Sequence, residues 1–228
     1  MTNPSRCFAL VPCAGVGTRA GAGGPKQYAR VGGRPVVGHT LAALGGVTRI
    51  ENTLVVLSPE DAEFEAHVPG FAGWVARCGG DTRAATVTNG LAELRARGVR
   101  EHDWVLVHDA ARCLVRPAWV DALIDACLPD GVGGLLALPL ADTLKAEEGG
   151  RVAATVPREH KWAAQTPQMF RLGLLERALR EAGAGVTDES SAVEALGLAP
   201  RLVPGALENL KLTWPADFAL AERLLETR

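Results

Sequence analysis

The stretch that decides the fold is Cys7-Phe8-Ala9-Leu10-Val11, running into Pro12-Cys13-Ala14-Gly15-Val16-Gly17-Thr18-Arg19 and then Pro25-Lys26-Gln27. An apolar run of strand length feeding a glycine-broken turn with fixed positive charge suits the holding of a phosphate chain. Taken alone, Ala14-Gly15-Val16-Gly17 is weak. It lacks the third glycine of the dinucleotide fingerprint and the Gly-Lys-Ser/Thr ending of a Walker loop, and a tight turn without function is the alternative. Arg19 and Lys26 shift the balance, because backbone N–H groups handle one or two phosphates while a triphosphate needs side-chain cations as well. Either one separately reads equally as a solvated surface charge.

Outward from this stretch, strands and helices alternate. Pro35 suits the first turn of a helix to Leu44, with Val37, Leu41 and Leu44 on one face. Thr53 to Leu57 is apolar on both faces, as strands buried on both sides are. Trp74 to Arg77 is a short strand, followed by Gly79-Gly80-Asp81-Thr82-Arg83 and a helix capped by Asp81 or Thr82. Trp104 to Val107 is the next strand, with His108-Asp109-Ala110-Ala111-Arg112 at its carboxyl end. A helix from Pro117 buries Val120, Leu123, Ile124 and Cys127, and Leu135 to Leu138 is one more strand. This alternation predicts an α/β fold with a mainly parallel, Rossmann-like sheet, crossover helices and a ligand site at the strands' carboxyl ends.

Beyond Pro139 the pattern changes. Asp142 to Lys145 and Val152 to Val156 flank Glu148-Gly149-Gly150 and predict a hairpin arm at about residues 140–160. A two-stranded arm is marginal alone, so it lies against a second subunit or folds back as a lid. After Thr166-Pro167-Gln168 the spacing predicts a helix carrying Phe170, Leu174, Leu175 and Ala178. Another begins near Thr187-Asp188-Glu189, where a helix cap is one reading, and a last runs from Pro215 through Leu225. Lys211, between Leu210 and Leu212, is placed on a short apolar strand, pointing to solvent or into the site.

The chain has 228 residues, enough for a sizeable core in one domain spanning 1–228, with 47% hydrophobic and 22% charged residues and a net charge of -2. No basic stripe exists to hold nucleic acid. Five cysteines without close pairing read as buried free thiols in a reducing compartment. The start is a poor signal peptide and no stretch has the length of a membrane span, so the expected setting is cytoplasmic.

Asp109, after a strand and beside His108 and Arg112, is placed to hold a divalent ion; a helix cap is the alternative. No histidine and cysteine spacing suits zinc, and no serine sits in a nucleophile elbow.

These segments together resemble the 2-C-methyl-D-erythritol 4-phosphate cytidylyltransferase family from Phe8 to Leu225. The family's Pro-x-Ala-Gly-x-Gly-x-Arg is similar to Pro12 to Arg19, and its Pro-Lys-Gln-Tyr to Pro25 to Tyr28. Its Gly-Gly-x-x-Arg matches Gly79, Gly80 and Arg83, with Thr86 at a hydroxyl position. Val107 to Arg112, Asp142-Thr143, Thr166 to Phe170, Thr187 to Glu189 and Asn209 to Thr213 supply its remaining motifs. Cys13, Cys113 and Trp214 depart from the family pattern, and none removes a charge.

The resemblance implies a nucleotide-diphospho-sugar transferase fold and transfer of a cytidylyl group from CTP to 2-C-methyl-D-erythritol 4-phosphate, with magnesium or another divalent ion. It implies catalytic roles for Arg19, Lys26, Lys211 and Asp109, the last also as metal ligand. Nucleotide contacts fall to Pro12, Cys13, Ala14, Gly15, Val16, Gly17 and Thr18, and to Gly79, Gly80, Asp81, Thr86 and Ala110. Thr143, Arg158, Thr166, Thr187 and Arg112 fall to the acceptor. In the family the arm crosses to a partner, which implies a homodimer. A cytidylyltransferase acting on a pentitol phosphate such as ribitol 5-phosphate is the nearest alternative, and a non-catalytic nucleotide-binding protein of the same fold is another. A dehydrogenase lacks the glycine spacing it needs.

Overall fold

The computed structural model describes residues 5–15, 25–183 and 185–227. In chain order the strands are β1 (Cys7–Cys13), β2 (Arg30–Val31), β3 (Arg34–Pro35), β4 (Ile50–Leu57), β5 (Trp74–Ala76) and β6 (Trp104–Val107). They continue with β7 (Gly133–Pro139), β8 (Leu144–Glu148), β9 (Arg151–Val156), β10 (Trp162–Arg171) and β11 (Arg201–Pro204). The helices are α1 (Val36–Gly45), α2 (Phe64–His67), α3 (Arg83–Ala96), α4 (Pro117–Cys127), α5 (Leu172–Ala182), α6 (Glu189–Glu194) and α7 (Pro215–Glu226).

A seven-stranded sheet runs β11-β7-β10-β6-β1-β4-β5. β1 lies at its heart, parallel to β4 and β6, with Leu10 opposite Leu54 on one side and Val107 on the other. Side chains of a strand alternate between faces, so β1 feeds two cores. Ala9 and Val11 pack with Val37, Leu41 and Leu44 of α1 and Val120, Leu123 and Ile124 of α4. Phe8 and Leu10 pack with Val87, Leu91 and Leu94 of α3 and with Leu172 and Leu175 of α5. Covered on both faces, β1 has no reason to alternate polar with apolar residues. A smaller cluster of Val31, Val36, Leu114, Leu212 and Ala221 seats α7.

The expected strands and helices up to β7 are present, with boundaries moved by up to three residues. Thr82 is the cap of α3, its hydroxyl accepting from the Ala85 amide at 3.0 Å. The arm is a hairpin of β8 and β9, paired antiparallel from Leu144 with Val156 to Glu148 with Arg151. Among the described residues no helix is long and apolar enough to cross a membrane.

Three segments differ from expectation. Phe170 lies not on a helix but on β10, which runs antiparallel between β6 and β7, so the sheet is mixed. Pro167 falls where the pairing of β10 with β7 loses register between Ala164 and Gln168, a place where a strand tolerates proline. β11, which the pattern did not mark, pairs parallel with β7 at the sheet edge. Lys211 is on no strand. It lies in the segment between β11 and α7, held by the Leu212 amide donating to the Ala111 carbonyl at 2.9 Å.

Candidate active site

The carboxyl ends of β1, β4, β5 and β6 open into a cavity of about 580 Å3. Pro12 to Gly15 line it from β1, Ser58 and Pro59 from β4, and Gly79 to Arg83 with Thr86 from the loop after β5 and the start of α3. Lys26, Gln27, Asp109 to Ala111 and Lys211 complete the lining. A second cavity of about 360 Å3, between α1 and residues 68–73 at the amino end of β4, contains none of the site residues expected from sequence.

Asp109 is the electrostatic centre. Its Oδ1 accepts from Arg83 Nε at 2.9 Å, its Oδ2 lies 2.9 Å from Lys211 Nζ, and Arg112 Nε is 3.8 Å from Oδ2. Burial alone would raise its pKa, but the fields of Arg83 and Lys211, with Arg112 behind them, hold it well below the usual carboxylate range. Arg83 also grips Glu189, Nη1 to Oε1 at 2.7 Å and Nη2 to Oε2 at 3.0 Å. Burial raises the Glu189 pKa, against the pull of Arg83. Among the described residues, Lys26, Arg83 and Lys211 on the lining and Arg112 behind Asp109 make four cations against the three carboxylates Asp81, Asp109 and Glu189. The surplus is positive, which suits a polyanion.

Below Asp109 lies a buried relay. His108 is wholly buried, and its Nε2 sits 3.2 Å from the Arg112 carbonyl oxygen, which can only accept. Nε2 therefore carries the proton in the neutral ring, Nδ1 accepts from the Thr166 hydroxyl at 3.0 Å, and Thr166 Oγ1 accepts from the Asp109 amide at 3.0 Å. Desolvation pushes the His108 pKa down to about 4, so the ring is neutral at pH 7. Thr166, expected to meet the acceptor, is buried with its hydroxyl engaged in fixing Asp109.

The glycine loop is shaped by the protein's own packing. A Cβ at Gly79 would come within 2.3 Å of the Ala14 Cβ and 2.7 Å of the Leu57 carbonyl oxygen. Glycine there lets the loop close against the ends of β1 and β4. The Thr86 hydroxyl accepts from the Gly80 amide at 3.1 Å and lies 3.3 Å from the Gly80 carbonyl oxygen, pinning that loop to α3.

Lys26 opens a 3-10 turn, Lys26–Tyr28, whose Gln27 and Tyr28 are buried. Gln27 Nε2 donates to the Cys13 carbonyl at 3.3 Å, and the Tyr28 hydroxyl donates to Asp61 at 2.6 Å. Opposite, Arg112 Nη1 donates to the Asn209 carbonyl at 2.6 Å, and Asn209 Nδ2 donates to the Thr166 carbonyl at 2.8 Å. These bonds set the heights of Lys26 and Lys211 on the two walls.

The structure thus brings together Pro12, Cys13, Ala14, Gly15, Lys26, Gly79, Gly80, Asp81, Thr86, Asp109, Ala110 and Lys211. Val16, Gly17, Thr18 and Arg19 lie outside the described residues. Arg112 and Thr166 stand behind Asp109 rather than on the cavity wall. Thr143 and Arg158 flank the arm, exposed, and Thr187 is an exposed residue beside Asp188, which caps α6 through the Ser191 amide at 2.9 Å. Arg83 and Glu189 were not marked as site residues, although both stand in quoted motifs. Cys13 and Cys113 are buried and Trp214 is exposed, so the departures from the family pattern add no charge to the cavity.

Among the described residues no three His, Cys, Asp or Glu side chains gather as a metal cluster. Asp109 is a buried carboxylate on the cavity lining, which suits a magnesium ion held chiefly by nucleotide phosphates and water.

The sequence model of the family described as 2-C-methyl-D-erythritol 4-phosphate cytidylyltransferase matches residues 7–227. A "Bifunctional enzyme IspD/IspF" of Albidiferax ferrireducens is 63% identical over 224 residues, covering 98% of this chain and 54% of that protein. The chain thus spans about half that relative's length. A 2-C-methyl-D-erythritol 4-phosphate cytidylyltransferase of Ralstonia nicotianae is 54% identical, covering 96% of this chain and 92% of that one. The crystal structure of a 4-diphosphocytidyl-2C-methyl-D-erythritol synthase superposes with a TM-score of 0.88 at 42% identity, covering 98% of this chain and all of the other. The Thermus thermophilus 2-C-methyl-D-erythritol 4-phosphate cytidylyltransferase gives 0.81 at 34% identity, over 97% and 99% of the two chains.

Proposed function

The chain belongs to the 2-C-methyl-D-erythritol 4-phosphate cytidylyltransferase family, and on that premise we propose that its cavity carries out cytidylyl transfer from CTP to 2-C-methyl-D-erythritol 4-phosphate. A phosphate oxygen of the acceptor attacks the α-phosphorus in line, the bond to the bridging oxygen breaks, and pyrophosphate leaves with the electron pair. The products are 4-diphosphocytidyl-2-C-methyl-D-erythritol and pyrophosphate. A phosphate dianion is already a nucleophile, so positioning and charge neutralisation matter more than a strong base.

The observation that carries this reading is the cation surplus around Asp109 at the mouths of β1 and β6. Lys26 and Arg19 grip the triphosphate and the charge that develops at the α-phosphorus, and the backbone of residues 14–18 cradles the phosphates. Lys211 offsets charge on the attacking side. Gly79, Gly80, Asp81, Thr86 and Ala110 form the cytidine pocket. Asp109 would supply the protein oxygen to a magnesium ion, whose chemistry is neutralisation of the phosphate chain.

The acceptor's phosphate falls to Arg158 and Thr143 of a neighbouring subunit, with Thr187 and Arg112 beside them. Support comes from the arm itself, a two-stranded ribbon whose side chains are largely exposed and which needs a surface to lie on. The deciding experiment is magnesium-dependent pyrophosphate release from CTP, run in parallel with 2-C-methyl-D-erythritol 4-phosphate and ribitol 5-phosphate. Release with the first alone is expected. Release with ribitol 5-phosphate alone moves the acceptor, and binding of CTP without release with either leaves a nucleotide-binding protein.

A further inference from the structure

A cation on the wall of a nucleotide cavity invites assignment as a phosphate clamp, and Arg83 is such a cation. Its bonds point elsewhere. Each of its three guanidinium nitrogens already donates to a carboxylate, Nη1 and Nη2 to Glu189 and Nε to Asp109. Both oxygens of Glu189 are bound by that one fork, and Glu189 is buried at the first turn of α6. A forked, two-bond grip fixes the plane of a guanidinium as well as its position. With the plane fixed, Nε has a single direction, and it lies along the line to Asp109 Oδ1. Asp109 is held from behind by the Thr166 hydroxyl at its amide, so its carboxylate turns Oδ2 toward Lys211.

We propose that Glu189 and Arg83 are positioning residues for the transfer. Glu189 fixes the guanidinium, the guanidinium fixes the Asp109 carboxylate, and the carboxylate presets Lys211 at the cavity. Neither Glu189 nor Arg83 grips the nucleotide. The chain of alternating charge Glu189, Arg83, Asp109, Lys211 joins the amino end of α6, the start of α3, the end of β6 and the segment before α7 into one rigid wall. This rests on the cytidylyl-transfer reading.

The test compares the wild-type chain with Glu189→Gln, Arg83→Gln and the double variant, by pyrophosphate release and by calorimetric CTP binding, with thermal melting as the check of fold. Glu189→Gln keeps the side-chain volume and one acceptor but lets the guanidinium turn. Its kcat is expected to fall about tenfold with KM for CTP moved less than about twofold, the size of coupling usual between contacting residues. Arg83→Gln leaves two buried carboxylates facing each other and falls further. The double variant removes one of those charges and regains about fivefold over Arg83→Gln. A phosphate clamp behaves otherwise. Arg83→Gln would then weaken CTP binding steeply, Glu189→Gln would leave kcat unchanged, and the double variant would recover nothing; that pattern overturns the proposal. Should Arg83→Gln not fold, Glu189→Gln decides alone, since a kcat within twofold of wild type overturns it. A wild-type chain that does not turn over overturns the functional reading itself, and the positioning claim with it.

Discussion

The ammonium of Lys26 donates to the carbonyl oxygen of Leu212 at 3.0 Å, across 186 positions of sequence. The next residue back, Lys211, turns the other way and meets Asp109 at 2.9 Å. The segment before α7 therefore holds one lysine by its backbone and presents another by its side chain. Two cations from opposite ends of the chain flank the same cavity.

Lys26 is partly exposed, and a hydrogen bond from such a side chain adds little to stability. Lys26→Ala is expected to keep its melting temperature within a few degrees and its oligomeric state unchanged. Its kcat falls by about a hundredfold or more, as when one preorganised donor to a developing charge is removed. Steady-state kinetics beside size-exclusion chromatography checks both halves. Unchanged turnover would make Lys26 a structural strut to Leu212.

Thr166 offers a cleaner separation of support from substrate contact. Thr166→Val leaves the Asp109 amide and His108 Nδ1 without partners in a buried site, at about 1–3 kcal/mol for each such group. Thr166→Ser keeps both bonds and is expected to match wild type in urea midpoint and in kcat. A Thr166→Val chain of wild-type stability with a raised acceptor KM would return Thr166 to the substrate.

What the sequence made legible was local. β1, β6 and the second half of β4 are continuous apolar runs, and Asp109 stands two residues past β6, so the pattern placed both the sheet centre and the carboxylate. β10 was not legible, because Pro167 breaks a run that the sheet accommodates by a shift of register. Lys211 read as a strand residue because leucines flank it. In the fold Leu212 is drawn into the core beneath α7, which turns Lys211 outward to Asp109. The grip of Arg83 on Glu189 spans 106 positions, and no spacing rule connects residues so far apart.

Acid should weaken the protein through His108. An unfolded histidine takes a proton near pH 6.5, whereas burial in the native ring delays this to about 4. Below about 6.5 the denatured state binds the proton and the native state does not. The stabilisation is therefore complete above that pH and is lost as pH falls toward about 4, by about 3 kcal/mol in all. His108→Gln is expected to flatten this window: urea unfolding in chelator at about pH 7 and about pH 4.5 should differ less than in wild type. An equal loss in both chains would show that carboxylates elsewhere carry the acid sensitivity.

The arm yields the last prediction. Arg158 stands past β9, exposed and outside the cavity lining, so a role at a phosphate needs either a partner's body or a folding back. Arg158→Ala is expected to raise KM for the acceptor far more than KM for CTP, since the nucleotide loops are untouched. Mixing Arg158→Ala subunits with Lys26→Ala subunits distinguishes the two geometries. If the arm serves the neighbour, each mixed dimer pairs an intact cavity with an intact arm at one site and gathers both defects at the other. Assayed at acceptor well below the KM of Arg158→Ala, random exchange of equal amounts then restores roughly one quarter of wild-type activity from two nearly inactive parents. If the arm closes over its own cavity, every site keeps one defect and mixing restores nothing. Recovery near a quarter, measured after denaturation and joint refolding, thus assigns Arg158 to the partner's site, and its absence makes the arm a lid.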